Sequence, residues 1–211
     1  MSNSPRRALI VIDVQNEYVT GALPIEYPPV QDSLANIARA IDAAQAHGVP
    51  VIVVQHLERP DASMFARGSH RAELHSVVAT RPYDHLIEKT LPSSFAGTDL
   101  ADWLTEHGID TLAVVGYMTH NCNISTVLHA SHAGMKVEYL NDATGALPYE
   151  NDAGYASAEE IHRAFTVVMH SRFAAVVGVN AWIAALEAGE PIARGSIGAS
   201  NTKARERAAA A

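Results

Sequence analysis

An aspartate, a lysine and the chain's single cysteine stand where an α/β enzyme keeps its reactive groups. Asp13 ends the apolar run 8–12, Lys89 follows residues 86–88, and Cys122 lies just beyond the apolar run 111–116. Ligands of open parallel sheets bind in the crevice outside the carboxyl ends of the strands. A carboxylate, an ammonium and a thiol converging there make an activated nucleophile. Cys122 also falls at the expected start of a helix, where free backbone N–H groups and the helix dipole favour an anion. A cysteine so placed is expected to be partly thiolate near pH 6 and to alkylate quickly. Each residue alone has a plainer reading. A lone cysteine is commonly a small buried hydrophobe, Asp13 a cap at a strand end, and Lys89 an exposed strand terminus.

The elements that must bring these residues together are legible as short β-branched runs alternating with amphipathic segments, the pattern of βαβ units. Strands are expected at 8–12, 51–54, 86–88, 111–116, 136–140 and 173–177. Several are apolar almost throughout, which implies burial on both faces. Between them, Asp32 can cap a helix carrying Leu34, Ile37 and Ile41, and Thr98 one carrying Leu100, Trp103 and Leu104. Asn121 opens a third, with Ile124, Val127 and Leu128. Ser157 and Glu160 form a capping box ahead of Ile161 and Phe165, and a last helix runs from Asn180 towards Gly189. Two segments break the rhythm: 18–30, with three prolines, and 57–83, long and polar. Loops of that length are usually functional or assembly-forming. The fold class expected is therefore a three-layer α/β/α Rossmann-like domain, 1–194, with a mostly parallel sheet of about six strands. Residues 195–211 read as a flexible tail.

Composition narrows the partners. The chain has 211 residues, 48% of them hydrophobic, enough for one well-filled core. A net charge of -8 argues against nucleic acid. No apolar run approaches the ~20 residues that span a bilayer, so no membrane partner is expected. One cysteine cannot form an internal disulfide, which fits a reducing, cytoplasmic setting. The expected partner is a small-molecule substrate.

Three segments together resemble the isochorismatase-like cysteine hydrolases. Residues 10–18, with Asp13, Gln15 and Tyr18, look like the family's first signature. Residues 88–98 look like its lysine segment. Gly116 to Cys122, followed by Thr126 and Ala130, looks like its nucleophile segment, and Asn141, Asp142 and Ala143 like its closing motif. The likeness runs from about residue 8 to 187, with the motifs in order. It implies that Cys122 attacks an amide-type carbonyl to form a thioester, that Asp13 takes the thiol proton and later activates water, and that Lys89 holds Asp13. It further implies a cis peptide between Tyr117 and Met118, an oxyanion hole from the N–H groups of Met118 and Cys122, and homo-oligomers.

Departures are few. His120 stands where the family often has Asp, and Asn123 where it often has Val. Nicotinamidases carry an Asp-x-His metal motif after the second strand; here residues 54–58 run Val, Gln, His, Leu, Glu, so no metal is expected. There is no P-loop and no GxGxxG after a strand, so no cofactor is expected either. Tyr18, Phe95 and Met118 are candidates to line the pocket, and Asp142 is expected to be a cap rather than an acid. The competing readings are a vinyl ether hydrolase of the isochorismatase type, in which a thiol is dispensable, and a catalytically silent α/β binding scaffold.

Overall fold

The computed structural model describes residues 4–210. In chain order the strands are β1 (Arg7–Ile12), β2 (Val51–His56), β3 (His85–Lys89), β4 (Thr111–Tyr117), β5 (Lys136–Gly145), β6 (Tyr149–Asn151), β7 (Gly154–Ala156) and β8 (Ala175–Val177). The helices are α1 (Val30–Ala46), α2 (Ser76–Ala79), α3 (Leu100–Glu106), α4 (Ile124–His132), α5 (Ala158–Arg172), α6 (Val179–Ala188) and α7 (Ile197–Ala209). Six strands form one sheet in the order β3-β2-β1-β4-β5-β8. Every neighbouring pair in it is parallel.

Alternation along the inner strands divides the core in two. Leu9, Val11, Val53, Ala113 and Val115 face α1 and α6, meeting Leu34, Ile37, Ile41 and Trp182. Ala8, Ile10, Ile12, Val54 and Val114 face the other way, onto Leu100 of α3, Val127 of α4 and Met169 of α5. The result is the expected three layers. β1 and β4 are buried along their whole length, which is why their sequences read as unbroken apolar runs.

The chain winds outward from β1 to β3 on one side and from β4 to β8 on the other, so the direction reverses between β1 and β4. That reversal opens a crevice at their carboxyl ends. Gly116 makes the close approach there possible. Its φ is 103°, and a Cβ on it would sit 2.1 Å from the Ile12 carbonyl oxygen. No other residue fits. At the opposite, amino end, the buried Arg7 guanidinium bonds both oxygens of Glu138, at 2.8 and 2.9 Å. Trp182 Nε1 donates to the same carboxylate at 2.9 Å.

Local details refine several expectations. The capping box of Ser157 and Glu160 is present. Asp32 lies in the first turn of α1 rather than at its cap, which is Pro29. Asp99 rather than Thr98 occupies the cap of α3. Asp142 receives the Val179 N–H at 2.9 Å and so caps the start of α6. The exposed hairpin of β6 and β7 has no buried face and therefore left no periodic signal. The segment read as a tail holds α7, a surface helix with no buried residue. Its apolar stripe is missing, but Ser196 accepts the Ala199 N–H, and alanine, lysine, arginine and glutamate are good helix formers.

Candidate active site

Topology brings the three chemical residues to one place. Asp13 is the first residue beyond β1, held at φ 50° and anchored by its N–H to the Val54 carbonyl at 3.0 Å. Left-handed backbone is uncommon outside glycine and is tolerated best by Asp and Asn. Lys89 closes β3, two strands away, or roughly twice the ~4.8 Å strand spacing. Its long stem crosses the end of β2, where it stands in register with His56, and reaches Asp13. Cys122 comes in from the other side, beyond β4.

The ammonium of Lys89 spends its three hydrogens on three partners. Nζ lies 2.8 Å from Asp13 Oδ2, 3.3 Å from Cys122 Sγ and 3.2 Å from His56 Nδ1. The side chains of Lys89 and Asp13 are fully buried. Asp13 Oδ1 is buried without a hydrogen-bond partner. A buried acceptor without a donor is costly, and the Cys122 thiol beside it carries the one proton left to offer.

The charges follow from this packing. Burial works against the Lys89 ammonium more than any other influence. Asp13, the Cys122 sulfur and the hydrogen bonds to both together still lift its pKa above the ordinary lysine value. Burial raises the Cys122 thiol well above the usual range, and the Asp13 charge pushes it further; Lys89 pulls the other way and loses. The resting site is thus a thiol beside a carboxylate–ammonium pair. This corrects the expectation of a partly ionised thiolate at a helix start. The helix dipole is outweighed by removal from water and by a neighbouring negative charge. Burial, with Cys122 and Asp13 adding to it, also keeps Tyr18 a phenol.

The nucleophile turn is built as a wide loop. The Tyr117–Met118 peptide is cis, and Thr119–Asn123 forms a π-helical turn that leads into α4. π-turns recur at functional sites. Asn123 Nδ2 donates to the Gly116 carbonyl at 2.9 Å, and Thr126 Oγ1 to the Cys122 carbonyl at 2.8 Å. Thr119 Oγ1 pairs with His162 Nδ1 at 2.8 Å. Asn123 therefore braces the turn from inside rather than facing a ligand.

Cys122 opens into a cavity of about 480 Å³ whose lining includes Tyr18, His56, Glu58, Phe65, Met118 and Tyr149. Tyr18 and Met118 take the places expected of them. Phe95 does not. Its ring stacks on His129 at 4.5 Å, in the core beneath α4. The turn around it is tied to α4 by the Ser94 N–H, which donates to Thr126 Oγ1 at 3.0 Å, and this directs the ring away from the crevice.

Sequence reasoning passed over His56 as a partner of the lysine and Glu58 as the partner of His56. Their signal was available: His56 ends β2 and Glu58 lies two residues beyond it, at a carboxyl end that borders the same crevice. Gln15 locks this corner, its Nε2 donating to the His56 carbonyl at 2.9 Å and its Oε1 accepting the His56 N–H at 2.9 Å. His56 has both ring nitrogens engaged, Nδ1 with Lys89 and Nε2 with Glu58 Oε1 at 3.0 Å. It has no free lone pair for a metal, and the buried Val54 stands where the nicotinamidase motif has Asp, so this corner does not fit such an ion. Among the described residues, no group of three or more His, Cys, Asp or Glu side chains is arranged to hold one. No described helix is long and apolar enough to cross a membrane.

Comparison with known proteins shows the family to which the chain belongs. A family model described as the isochorismatase domain matches residues 7–181. A crystal structure from Burkholderia xenovorans LB400, provisionally assigned as an isochorismatase, is 66% identical. It covers 98% of this chain and 100% of its own, with a TM-score of 0.97. YddQ of Bacillus subtilis (strain 168), an uncharacterized isochorismatase family protein, is 30% identical over 83% of this chain and 98% of its own. The nicotinamidase of Escherichia coli (strain K12) is 30% identical over 65% of this chain and 82% of its own.

Proposed function

Because the chain belongs to the isochorismatase family of hydrolases, we propose that it is a cysteine-dependent amidohydrolase acting on a small amide or carbamoyl compound. The observation that carries this reading is Lys89 bonded at once to Asp13 and to Cys122, with the sulfur facing the cavity. As the sulfur attacks the carbonyl carbon, the thiol proton passes to Asp13 Oδ1, the acceptor left free for it. Lys89 stays charged, fixing Asp13 through Oδ2 and stabilising negative charge on sulfur. The backbone N–H groups of Met118 and Cys122 receive the oxyanion, and one such donor is typically worth ~2.7–4 kcal/mol in the transition state. Asp13 returns the proton to the leaving nitrogen, the C–N bond breaks, and a thioester remains. Water then attacks with Asp13 as base, releasing the acid and regenerating the thiol.

A panel of small primary amides and N-carbamoyl compounds, assayed for ammonia release, tests this. At least one should be hydrolysed, and Cys122→Ala should abolish that turnover. No ammonia release from any amide, with vinyl ether hydrolysis retained in Cys122→Ala, would instead favour the chemistry in which the thiol is dispensable. A purified, folded protein that hydrolyses no amide, carbamoyl compound or vinyl ether would favour the silent scaffold.

A further inference from the structure

We propose that the cavity selects by charge, admitting neutral and cationic substrates and rejecting carboxylates, with Glu58 as the specificity-determining residue. This rests on the amidohydrolase reading for the reaction, but the selection itself is a property of the cavity walls.

Among the described lining residues there is no lysine or arginine, and Glu58 is the one carboxylate. Behind the wall, the buried Asp13 and Lys89 charges cancel as a pair 2.8 Å apart. Cys122 and Tyr18, both raised by burial first, contribute no charge. Lys89 donates to His56 Nδ1, so the ring proton sits on Nε2, aimed at Glu58. The net charge presented to an occupant is therefore negative and resides on Glu58.

Its position suits that role. The Glu58 side chain is 42% exposed, while His56, which holds it, is 14% exposed. The carboxylate is thus fixed at one oxygen and open at the other. Tyr18, Phe65, Met118 and Tyr149 supply low-dielectric walls around it, and such walls focus the field of a single charge. A carboxylate brought into this space finds no cation among the described lining residues to pair with it, and the Lys89 ammonium behind the wall has each hydrogen committed. Rejection of this kind is specificity by repulsion. It also weighs against a diacid vinyl ether such as isochorismate as the occupant.

The test reads cavity charge without needing turnover. Cys122, the only thiol, is modified with two methanethiosulfonates, one bearing an ammonium and one a sulfonate. In each case the sulfur displaces methanesulfinate to form a mixed disulfide. The ammonium-to-sulfonate rate ratio at Cys122 should exceed that of 2-mercaptoethanol by about tenfold or more, a difference of ~1.4 kcal/mol. Glu58→Gln should remove most of that excess. A ratio equal to that of the free thiol, or one unmoved by the substitution, overturns the proposal; should Glu58→Gln fail to fold, the wild-type ratio alone decides. In parallel, β-alaninamide, propionamide and succinamate are assayed for ammonia release. If neither these nor any member of the wider amide and carbamoyl panel is cleaved while the probe ratio holds, the amidase reading falls and the charge selection stands. If succinamate is the best substrate, the charge selection falls and the amidase reading stands.

Discussion

Asp13 raises the Cys122 thiol and Lys89 lowers it, so removing one or the other moves the sulfur in opposite directions. Asp13→Asn leaves the ammonium beside the thiol and deletes two of the influences holding its proton. Thiolate ultraviolet absorbance should then titrate at lower pH than in wild type, while kcat falls by at least the ~10²–10⁴-fold typical of a lost general base. A more ionised but slower enzyme separates a base from a mere electrostatic neighbour. An unchanged or higher thiol pKa in Asp13→Asn would refute the arrangement. That Asp13, Lys89 and Cys122 would be neighbours was legible in part from strand ends, since each interrupts or follows an apolar run, and their reading as a set also needed the likeness of the motif segments. Their protonation was not, because it depends on burial and on distances that spacing does not encode. Phe95 shows the same limit: an aromatic near a motif carries no sign of which way its ring turns.

At the scale of elements, the two ends of the sheet do different work. The carboxyl end holds the proposed chemistry; the amino end holds the buried pair of Arg7 and Glu138 with Trp182. Removing one member of a buried ion pair typically costs about 3–5 kcal/mol, because the other charge is stranded. Arg7→Met should therefore lower the urea midpoint substantially while kcat on any cleaved amide changes little, since Asp13 lies at the far end of β1. Equal losses in stability and kcat would show that the two ends are coupled. The six strands were readable because their apolar runs are buried on one or both faces. The hairpin of β6 and β7 was not, having no buried side. α7 escaped notice because a cap and intrinsic propensity, rather than an apolar stripe, account for its helix.

For the molecule as a whole, a buried histidine and a half-buried one link folding to pH. His162 and His120 are each lowered to about 4, His162 by burial and His120 by burial and then by His162. In an unfolded chain both titrate near ~6.5. The folded protein thus keeps them neutral while the unfolded chain binds protons, so their stabilising effect is complete above about pH 6.5. It is lost as pH falls towards 4 and changes little below that. For His162 the loss is on the order of 3 kcal/mol. Unfolding in urea at pH 7 and pH 4.5 should show wild type losing more stability than His162→Gln; parallel losses would contradict the assignment. Neither histidine's state could be read from the sequence, where His120 was visible only as a departure two residues before the cysteine.

Rapid-quench intact-protein mass spectrometry, with an amide the protein hydrolyses, bears most directly on how the site works. The acyl portion of that amide should appear as added mass on Cys122, at a level that rises with ammonia release and then holds steady through turnover. Sustained ammonia release by Cys122→Ala, with no acyl group found on the wild-type cysteine, would contradict it.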